Sequence, residues 1–533
     1  MEDQRLALQA SLDVLKTSTD RNKMGQYATP TALAREVVNY GLALIPQSKP
    51  IRFLDPAIGT GSFFSALLES GQGFESAQGF EIDPHYGAPA LKLWSGSRLE
   101  MTVADFTGQR PPKADDQKPT LLICNPPYVR HHHMSKEEKE RLHTLSKNSA
   151  GISLSGLSGL YVHFLAISHS WMADDGVAGW LVPSEFMDVN YGRKLKEYLL
   201  SEVTLLHIHR FDPKDVQFDD AIVSSAVVWF RKRKPPAHHT VEFSYGGSLQ
   251  NPATVKQISA ADLRKADKWT RFPKSDPVAD HDGYRIADLF AIKRGLATGD
   301  NSFFILDEDR AKELLIPPQF LRPVLPSSRH IAGDEIQADS SGIPLLPKRL
   351  FLLDCDVPPE QVQREYPTLW AYLQTGVDSV AQAYLCKSRK FWYAQEKRTA
   401  APIVCTYMGR SDRSARPFRF FLNRSKAVAT NVFLMLYPKP ALSERLATHP
   451  ESIHAIWESL NMIDAQTLLG NGRVYGGGLH KLEPKELANV PADNIAALVG
   501  LPPKQLPKQL ELIKEIAAQG SSDLPAGPRM LRP

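Results

Sequence analysis

Seven short apolar runs recur between residues 51 and 230, and they restrict the fold more than any other feature of the chain. Segments that can form helices, such as residues 62–70 and 159–173, lie between most of these runs. Because strands that alternate with helices pair in parallel, the pattern predicts an α/β fold with a doubly wound, mostly parallel sheet covered on both faces. The predicted strands are residues 51–57, 74–83, 99–106, 120–128, 176–183, 203–211 and 221–230.

Composition excludes several classes of protein. The 533 residues include 63 Lys and Arg against 59 Asp and Glu, and this net charge of +4 excludes a polybasic protein but permits a local basic face. No stretch of about 20 apolar residues occurs, so we expect no helix that spans a membrane. The N-terminus carries acidic residues and lacks a long apolar run, which argues against a secretory signal and favours a cytoplasmic protein.

Neither the histidines nor the cysteines predict a metal site. His131, His132 and His133 are consecutive, so their side chains diverge, and carboxylate or thiolate partners are not apparent nearby. The cysteines lack C-x-x-C spacing, and we therefore expect reduced thiols without disulfides or zinc. These four residues are Cys124, Cys355, Cys386 and Cys405.

The chain divides into four predicted segments. Leucines at helical spacing predict an N-terminal helical extension over residues 1–24. The α/β pattern then runs through residues 25–240 and stops near a basic, proline-containing stretch. Residues 241–518, with irregular strands and interleaved basic and aromatic residues, predict a larger, mixed α+β domain. The tail, residues 519–533, is rich in Gly, Pro and Ser, and we expect it to be disordered.

A glycine-containing turn follows the first predicted strand. Asp55 ends the strand, and Ala57, Gly59 and Gly61 follow before a helical segment. In a doubly wound sheet this edge is where a nucleotide-like cofactor binds, and glycines let the backbone approach it closely. The turn has G-x-G but lacks the G-x-G-x-x-G of a pyrophosphate loop, which favours a cofactor without phosphates there.

Acidic residues lie at the ends of the next two predicted strands. Glu81, before Ile82, can accept hydrogen bonds from two ribose hydroxyls, as acids at this position do in dinucleotide folds. Asp105 can accept from an exocyclic amine, and the adjacent Phe106 offers an apolar contact to a purine ring. Each acid alone is more often a helix cap or a solvated turn residue. Their occurrence at successive strand ends favours a cofactor site.

The fourth strand ends in Asn125, Pro126, Pro127 and Tyr128. Two prolines can neither continue a central strand nor enter a helix interior, so the tetrapeptide predicts a rigid turn. A surface proline turn is the ordinary alternative. It fits less well with Asn and Tyr flanking the prolines at the cofactor edge of a sheet.

With these motifs the chain resembles the amino-group DNA methyltransferases that use S-adenosylmethionine, and within them the adenine-N6 branch of the TaqI and Eco57I type. The resemblance implies a seven-stranded methyltransferase sheet over residues 25–240 and a target-recognition domain over residues 241–518. Segments similar to the recognition domains of the family are residues 294–301, 303–305 and 472–484.

The resemblance also implies roles for individual residues. Thr29 belongs to the cofactor motif near the N-terminus, where Ala28 replaces a Phe that is often found in the family. The turn from Asp55 to Gly61 would hold the methionine part of the cofactor, and Glu81 the ribose. Ile82 and Pro127 also belong to the implied cofactor site. Asp105 and Phe106 would hold the adenine of the cofactor.

Asn125 and Pro126 carry the implied chemistry. The side-chain oxygen of Asn125 and the carbonyl of Pro126 would accept the hydrogens of the target amine, and Tyr128 and Phe218 would stack on the extruded base. The implied partners are double-stranded DNA and a separate cognate restriction endonuclease, and we favour a monomer. The alternatives are a cytosine-N4 methyltransferase, an RNA or protein-amide methyltransferase, and a DNA-binding protein with an inactive catalytic half.

Overall fold

The computed structural model describes residues 1–212, 225–273, 283–410, 416–475 and 479–504. It divides into a first unit, Met1–Val278 with Arg473–Leu479, and a second unit, Ala279–Gly472 with His480–Pro533. The predicted tail, residues 519–533, lies outside the described residues. In the described parts of the chain, no helix combines the length and the apolar character that crossing a membrane requires.

The described part of residues 1–265, all in the first unit, forms a nine-stranded sheet and nine α-helices. Its strands are Arg52–Asp55 (β1), Ser76–Glu81 (β2), Leu99–Val103 (β3), Leu121–Cys124 (β4), Val177–Pro183 (β5), Thr204–Arg210 (β6), Ser225–Arg231 (β7), Thr240–Gly247 (β8) and Pro252–Ser259 (β9). Its helices are Glu2–Val14 (α1), Ser18–Met24 (α2), Thr31–Leu44 (α3), Ser62–Glu69 (α4), Pro84–Leu93 (α5), Lys136–Ala150 (α6), Leu160–Ser168 (α7), Arg193–Ser201 (α8) and Ala260–Lys265 (α9).

The strand order is β3-β2-β1-β4-β5-β7-β6-β8-β9. The first five strands in this order run parallel, and β7 is antiparallel to both β5 and β6. The predicted α/β fold is therefore confirmed, with seven core strands extended by β8 and β9. Because β8 pairs with β6, the sheet continues through Ser259. The boundary predicted at 240/241 is therefore displaced to the region of Val278, and the first unit takes the larger share of the chain.

Side chains of the central strands point alternately into two apolar layers. Phe53 packs on one face of the sheet and Leu54 on the other. In β4, Leu121 and Ile123 join the layer of Phe53, and their neighbours in sequence join the other. This period of two explains why these strands are continuous apolar runs, since a strand covered on both faces buries every side chain.

The Trp229 side chain packs between the sheet and α3, against one glycine in each of them. Trp229 lies opposite Gly179 in the β5–β7 ladder, and its indole is fully buried. A Cβ atom at Gly179 would lie 2.3 Å from the indole, and one at Gly41 in α3 would lie 2.9 Å from it. The ring therefore occupies space that both positions leave free because they lack a side chain.

We expect Gly179→Ala to lower the free energy of unfolding by about 1–3 kcal/mol, because the new methyl group overpacks the core against Trp229. Gly73→Ala is the matched control, since a Cβ atom there has no neighbour within 4 Å. Urea unfolding followed by tryptophan fluorescence measures both variants. Equal stability of the two would contradict this account of the packing.

The rest of the chain is mixed α+β, as predicted. Phe290–Arg294 (β10), Phe433–Pro438 (β18), Ile403–Thr406 (β15), Phe420–Asn423 (β17) and Glu335–Ile336 (β13) form a five-stranded sheet in this order, and Ile305–Asp307 (β11), Leu350–Leu353 (β14) and Leu321–Val324 (β12) form a three-stranded one. The other strands are Met408–Arg410 (β16), Arg473–Tyr475 (β19) and Leu479–Lys481 (β20). The helices are Ile286–Leu289 (α10), Asn301–Phe304 (α11), Glu308–Glu313 (α12), Pro359–Glu365 (α13), Pro367–Gln374 (α14), Tyr384–Lys387 (α15), Pro440–Thr448 (α16), Ser452–Asn461 (α17), Ala465–Asn471 (α18), Pro484–Ala488 (α19) and Asp493–Leu498 (α20).

Candidate functional site

A pocket of about 310 Å³ opens at the carboxyl ends of β1, β2 and β4. All of its lining residues belong to the first unit. Its volume is within the range of small-molecule sites, and its position is where ligands bind in doubly wound sheets. The site residues predicted from sequence that line it are Ala57, Gly59, Glu81, Ile82, Asp105, Phe106, Asn125 and Pro127.

The turn after β1 is shaped by residues beneath the pocket as well as by those that line it. Asp55 is fully buried, and its Oδ1 accepts the backbone N–H of Ala57 at 3.1 Å. Gly59 has φ +57°, and a Cβ atom there would meet no atom within 4 Å. At Gly61 a Cβ atom would lie 2.5 Å from the Trp94 indole nitrogen. Gly59 thus opens towards the pocket, whereas Asp55 and Gly61 support the turn.

Glu81 is held at the end of β2 by two backbone donors. Its Oε2 accepts the N–H of Gly59 at 3.0 Å, and its Oε1 accepts the N–H of Asp83 at 2.8 Å. Each oxygen keeps a second lone pair for a ligand donor. The adjacent Ile82 is 55% exposed, and its side chain presents an apolar surface to the pocket.

Asp105 and Phe106 form another side of the pocket. The Oδ1 of Asp105 accepts the N–H of Thr107 at 2.8 Å, and its Oδ2 accepts from Arg141 Nη2 at 3.2 Å. The Phe106 ring is almost fully buried and lies 5.6 Å, centroid to centroid, from Phe164. The pocket therefore has a carboxylate beside an aromatic wall at this end.

The side-chain amide of Asn125 has one orientation that its neighbours allow. Its Nδ2 donates to the Tyr27 carbonyl at 2.9 Å and to Thr29 Oγ1 at 3.1 Å. A carbonyl can only accept, so the amide cannot be reversed. Its Oδ1 is buried and accepts no hydrogen bond from any residue that the structure describes. Thr29 does not line the pocket; it holds the amide whose oxygen lacks a partner.

Tyr128 is fixed at both its backbone and its hydroxyl. The hydroxyl donates to the Leu181 carbonyl at 3.0 Å, and the backbone N–H donates to the Gly25 carbonyl at 3.2 Å. A Cβ atom at Gly25 would lie 2.3 Å from the Tyr128 nitrogen, so this approach requires glycine. The Tyr27 and Tyr128 rings are 5.7 Å apart. Pro126 is buried, and Phe218 lies outside the described residues.

The parts of the pocket wall that α1, α2 and α6 contribute were not predicted from the sequence. Gln9 and Asp13 of α1 line the pocket, as do Lys23 and Met24 of α2. The spacing of four residues between Gln9 and Asp13 could have indicated that they act together, because it places both side chains on one face of a helix. From α6 and the segment before it, the lining residues are His133, Met134, Glu138 and Arg141.

Comparisons with known proteins agree on one family. The family model "Eco57I restriction-modification methylase" matches residues 91–217, and "Type II methyltransferase M.Eco57I, C-terminal domain" matches residues 276–520. The chain is 29% identical to Type II methyltransferase M.XamI of Xanthomonas campestris pv. amaranthicola over 487 residues, which cover 87% of this chain and 84% of the relative. It is 26% identical to Type II methyltransferase M.AccI of Acinetobacter calcoaceticus, over 88% and 85% of the two chains.

The chain belongs to the Eco57I family of restriction–modification methyltransferases. A solved structure of the Type IIL restriction-modification enzyme MmeI in complex with DNA is similar in fold, with a TM-score of 0.54 and 13% identity over 82% of this chain and 65% of that one. The second Eco57I-family match begins at residue 276, next to the boundary at Val278. The two family matches and the similarity to the two Type II methyltransferases confirm the predicted family.

Burial raises the pKa of Asp55 to about 8 and that of Glu81 to about 7. Both groups ionise near pH 4 in an unfolded chain. Between about pH 4 and pH 8 the folded protein therefore holds protons that the unfolded chain has released, and stability falls as the pH rises.

We expect Asp55→Asn, which stays neutral, to make the free energy of unfolding less dependent on pH between pH 6 and pH 8.5. Asp116→Asn is the control, because Asp116 is exposed. Denaturant unfolding at several pH values measures the slope for each protein. If Asp55→Asn and the unaltered protein have the same slope, Asp55 is not the buried acid responsible.

Proposed function

We propose that this Eco57I-family protein is a sequence-specific DNA methyltransferase that transfers a methyl group from S-adenosylmethionine to the N6 atom of adenine. The observation that carries the proposal is the Oδ1 atom of Asn125, a buried acceptor without a partner among the described residues. A buried polar atom normally finds a hydrogen bond, since leaving it unsatisfied costs about 1–3 kcal/mol. A donor of the substrate would supply the missing bond.

The pocket fits the proposed cofactor. A side chain at Gly59 would enter open space, so the turn leaves room for a ligand beside the backbone. Glu81 offers two oxygens to ribose hydroxyls, and Ile82 offers an apolar face to a purine. Asp105, beside the aromatic wall of Phe106, could accept from the exocyclic amine of that purine. Pro127 lines the same pocket, next to Asn125.

The proposed chemistry overcomes the weak nucleophilicity of an aromatic amine. The lone pair of the adenine amine is delocalised into the ring, and acceptors on its two hydrogens would localise the pair on nitrogen. Asn125 Oδ1 and the Pro126 carbonyl are the two proposed acceptors. S-adenosylmethionine would supply an electrophilic methyl group: as the nitrogen forms its bond to the methyl carbon, the carbon–sulfur bond would break with its electron pair going to sulfur, and the methylated amine would then release a proton to solvent. Positioning supplies much of the acceleration.

The target base must leave the duplex, because its amine is shielded there. Extrusion costs a few kcal/mol. Stacking on Tyr128, whose ring is oriented by its bond to Leu181, would offset roughly 1–3 kcal/mol of that cost. Phe218 is proposed as a second stacking residue, from sequence similarity alone.

The second unit is proposed to recognise the DNA target. In the basic, aromatic segment after α15, Arg419 and Lys397 each form an ion pair with an aspartate, at 2.6 and 3.1 Å. Their charges are therefore already paired within the second unit. Lys387 and Lys390 are exposed instead, and α15 also carries Tyr384, which is 86% exposed. Exposed cations and an exposed aromatic ring suit contacts to DNA phosphates and bases. A separate cognate restriction endonuclease and a monomeric enzyme remain part of the proposal.

The product of the reaction tests the proposal. We expect the purified protein, incubated with bacterial DNA and tritiated S-adenosylmethionine, to give labelled N6-methyladenine after digestion to nucleosides and chromatography. Label in N4-methylcytosine would favour the second candidate, since the same amine chemistry serves cytosine. Label only on RNA or protein, or no transfer at all, would overturn DNA methylation as the function.

We expect Asn125→Ala to lower the rate of methyl transfer by roughly 10²–10³-fold, as the loss of one transition-state hydrogen bond does elsewhere. Affinity for S-adenosylmethionine, measured by calorimetry, should change little. Asn39→Ala is the control, because Asn39 is exposed on α3. An active Asn125→Ala protein would exclude the proposed role of the amide.

A further inference from the structure

Helix α1 packs on the first unit through its polar face. Leu6 is 43% exposed and Leu15, just after the helix, is 75% exposed, whereas Arg5 is 1% exposed. Glu2 is buried beside Arg5, and Leu12 is the leucine of the helix that is buried. An amphipathic helix normally buries its apolar stripe. Its polar residues must therefore be held by specific partners beneath them.

A buried ion pair ties α1 to the glycine turn of the pocket. Arg5 donates to both carboxylate oxygens of Glu2, at 2.6 and 2.8 Å. The same guanidinium donates to Thr60 Oγ1 at 3.2 Å and to Thr31 Oγ1 at 3.3 Å. Burying an ion pair adds little stability even when its geometry is good. The result of this arrangement is that α1 has a defined position over Thr60, between Gly59 and Gly61.

Gln9 and Asp13 follow Arg5 at intervals of four residues, and both line the pocket. The Oε1 of Gln9 accepts from Thr60 Oγ1 at 2.6 Å, and its Nε2 donates to the Asp13 carboxylate at 2.9 and 3.0 Å. The Oδ1 of Asp13 also accepts from the Tyr86 hydroxyl at 2.8 Å. These bonds join α1 to the turn after β1 and to α5 after β2.

The contacts of Gln9 and Asp13 lead towards Glu81 from two directions. Thr60 follows Gly59, whose N–H donates to Glu81. Tyr86 precedes Gly87, where a Cβ atom would lie 3.2 Å from Glu81 Cγ. Both α1 residues are therefore anchored to elements that contact Glu81, and all three side chains line one pocket.

We propose that Asp13 binds the ribose of the cofactor together with Glu81 and that Gln9 positions Asp13 for this contact, so that α1 is part of the cofactor site. The inference rests on the proposed use of S-adenosylmethionine. A carboxylate such as Asp13 accepts hydrogen bonds from hydroxyl groups, and the Gln9 amide keeps that carboxylate in place through its two contacts. Glu81 holds the ribose from β2, and α1 supplies a second set of acceptors.

Helix α1 provides matched controls for both residues. Asp3 and Gln4 are exposed on the same helix, so Asp3→Asn and Gln4→Ala make the same chemical changes away from the pocket. We expect Asp13→Asn and Gln9→Ala to weaken binding roughly tenfold, and the two controls to bind as the unaltered protein does. Thermal unfolding of each variant shows that the fold is retained.

The choice of ligands tests the ribose assignment. S-adenosylmethionine, S-adenosylhomocysteine and 5′-methylthioadenosine share the ribose but differ in charge and in the amino-acid end. Titration calorimetry without DNA should show that Asp13→Asn weakens all three by a similar factor. A loss confined to S-adenosylmethionine, or no loss, would overturn the proposal. If the unaltered protein binds none of the three ligands, the proposed cofactor is wrong instead.

Hydrogen exchange supplies a second measurement, independent of any variant. We expect saturating S-adenosylhomocysteine to slow the exchange of the backbone amides in α1 as well as those of the turn after β1. Protection of the turn without protection of α1 would show that the helix only packs beside the site, and would overturn the proposal.

Discussion

The candidate site depends on two hydrogen bonds that fix the amide of Asn125. Both acceptors, the Tyr27 carbonyl and the Thr29 hydroxyl, come from a segment almost a hundred residues earlier in the chain. Both hydrogens of the amide nitrogen are engaged in these bonds, and the amide oxygen is left buried without a partner among the described residues. A free acceptor in a buried place is costly, and the surrounding structure has to hold it there.

Several features keep that segment against the turn after β4. Gly25 lies so close to Tyr128 that its position permits no side chain, and the two residues share a backbone hydrogen bond. Tyr128 in turn is bound through its hydroxyl to Leu181 in β5. The parallel sheet brings the ends of these strands to one edge, so residues distant in sequence meet without long loops. The arrangement of Asn125 is therefore a consequence of the sheet.

Local pattern predicted most of the first unit, because a sheet covered on both faces produces apolar runs that can be read directly. The run at residues 74–83 corresponds to β2 and that at residues 99–106 to β3. Strands β8 and β9 were missed because the proline-containing stretch before them resembles a linker. Their membership in the sheet depends on the pairing of β8 with β6, which is a long-range contact that no local pattern encodes.

The positions of the pocket residues could be predicted where these residues end strands that the sequence pattern predicts. Glu81 and Asn125 end predicted strands, and the edge of a parallel sheet brings such residues together. The orientation of the Asn125 amide was not predictable, because it depends on contacts made by Tyr27 and Thr29. For Thr29 the resemblance implied a cofactor contact, whereas in the structure it binds Asn125 and does not line the pocket.

The orientation of the N-terminal helix α1 could not be predicted from the spacing of its leucines. Leucine spacing predicted α1 correctly as a helix, and the usual rule would have turned those leucines inwards. Arg5 instead satisfies its guanidinium with Glu2 and Thr60, and the polar face is buried. Burial of these charged and polar groups costs little only because each of them forms a hydrogen bond or an ion pair. These bonds determine the position of the helix. The buried polar face gives α1 little hydrophobic stabilisation, but this face places side chains of α1 in the pocket. The orientation of the helix therefore suits ligand binding more than it suits stability.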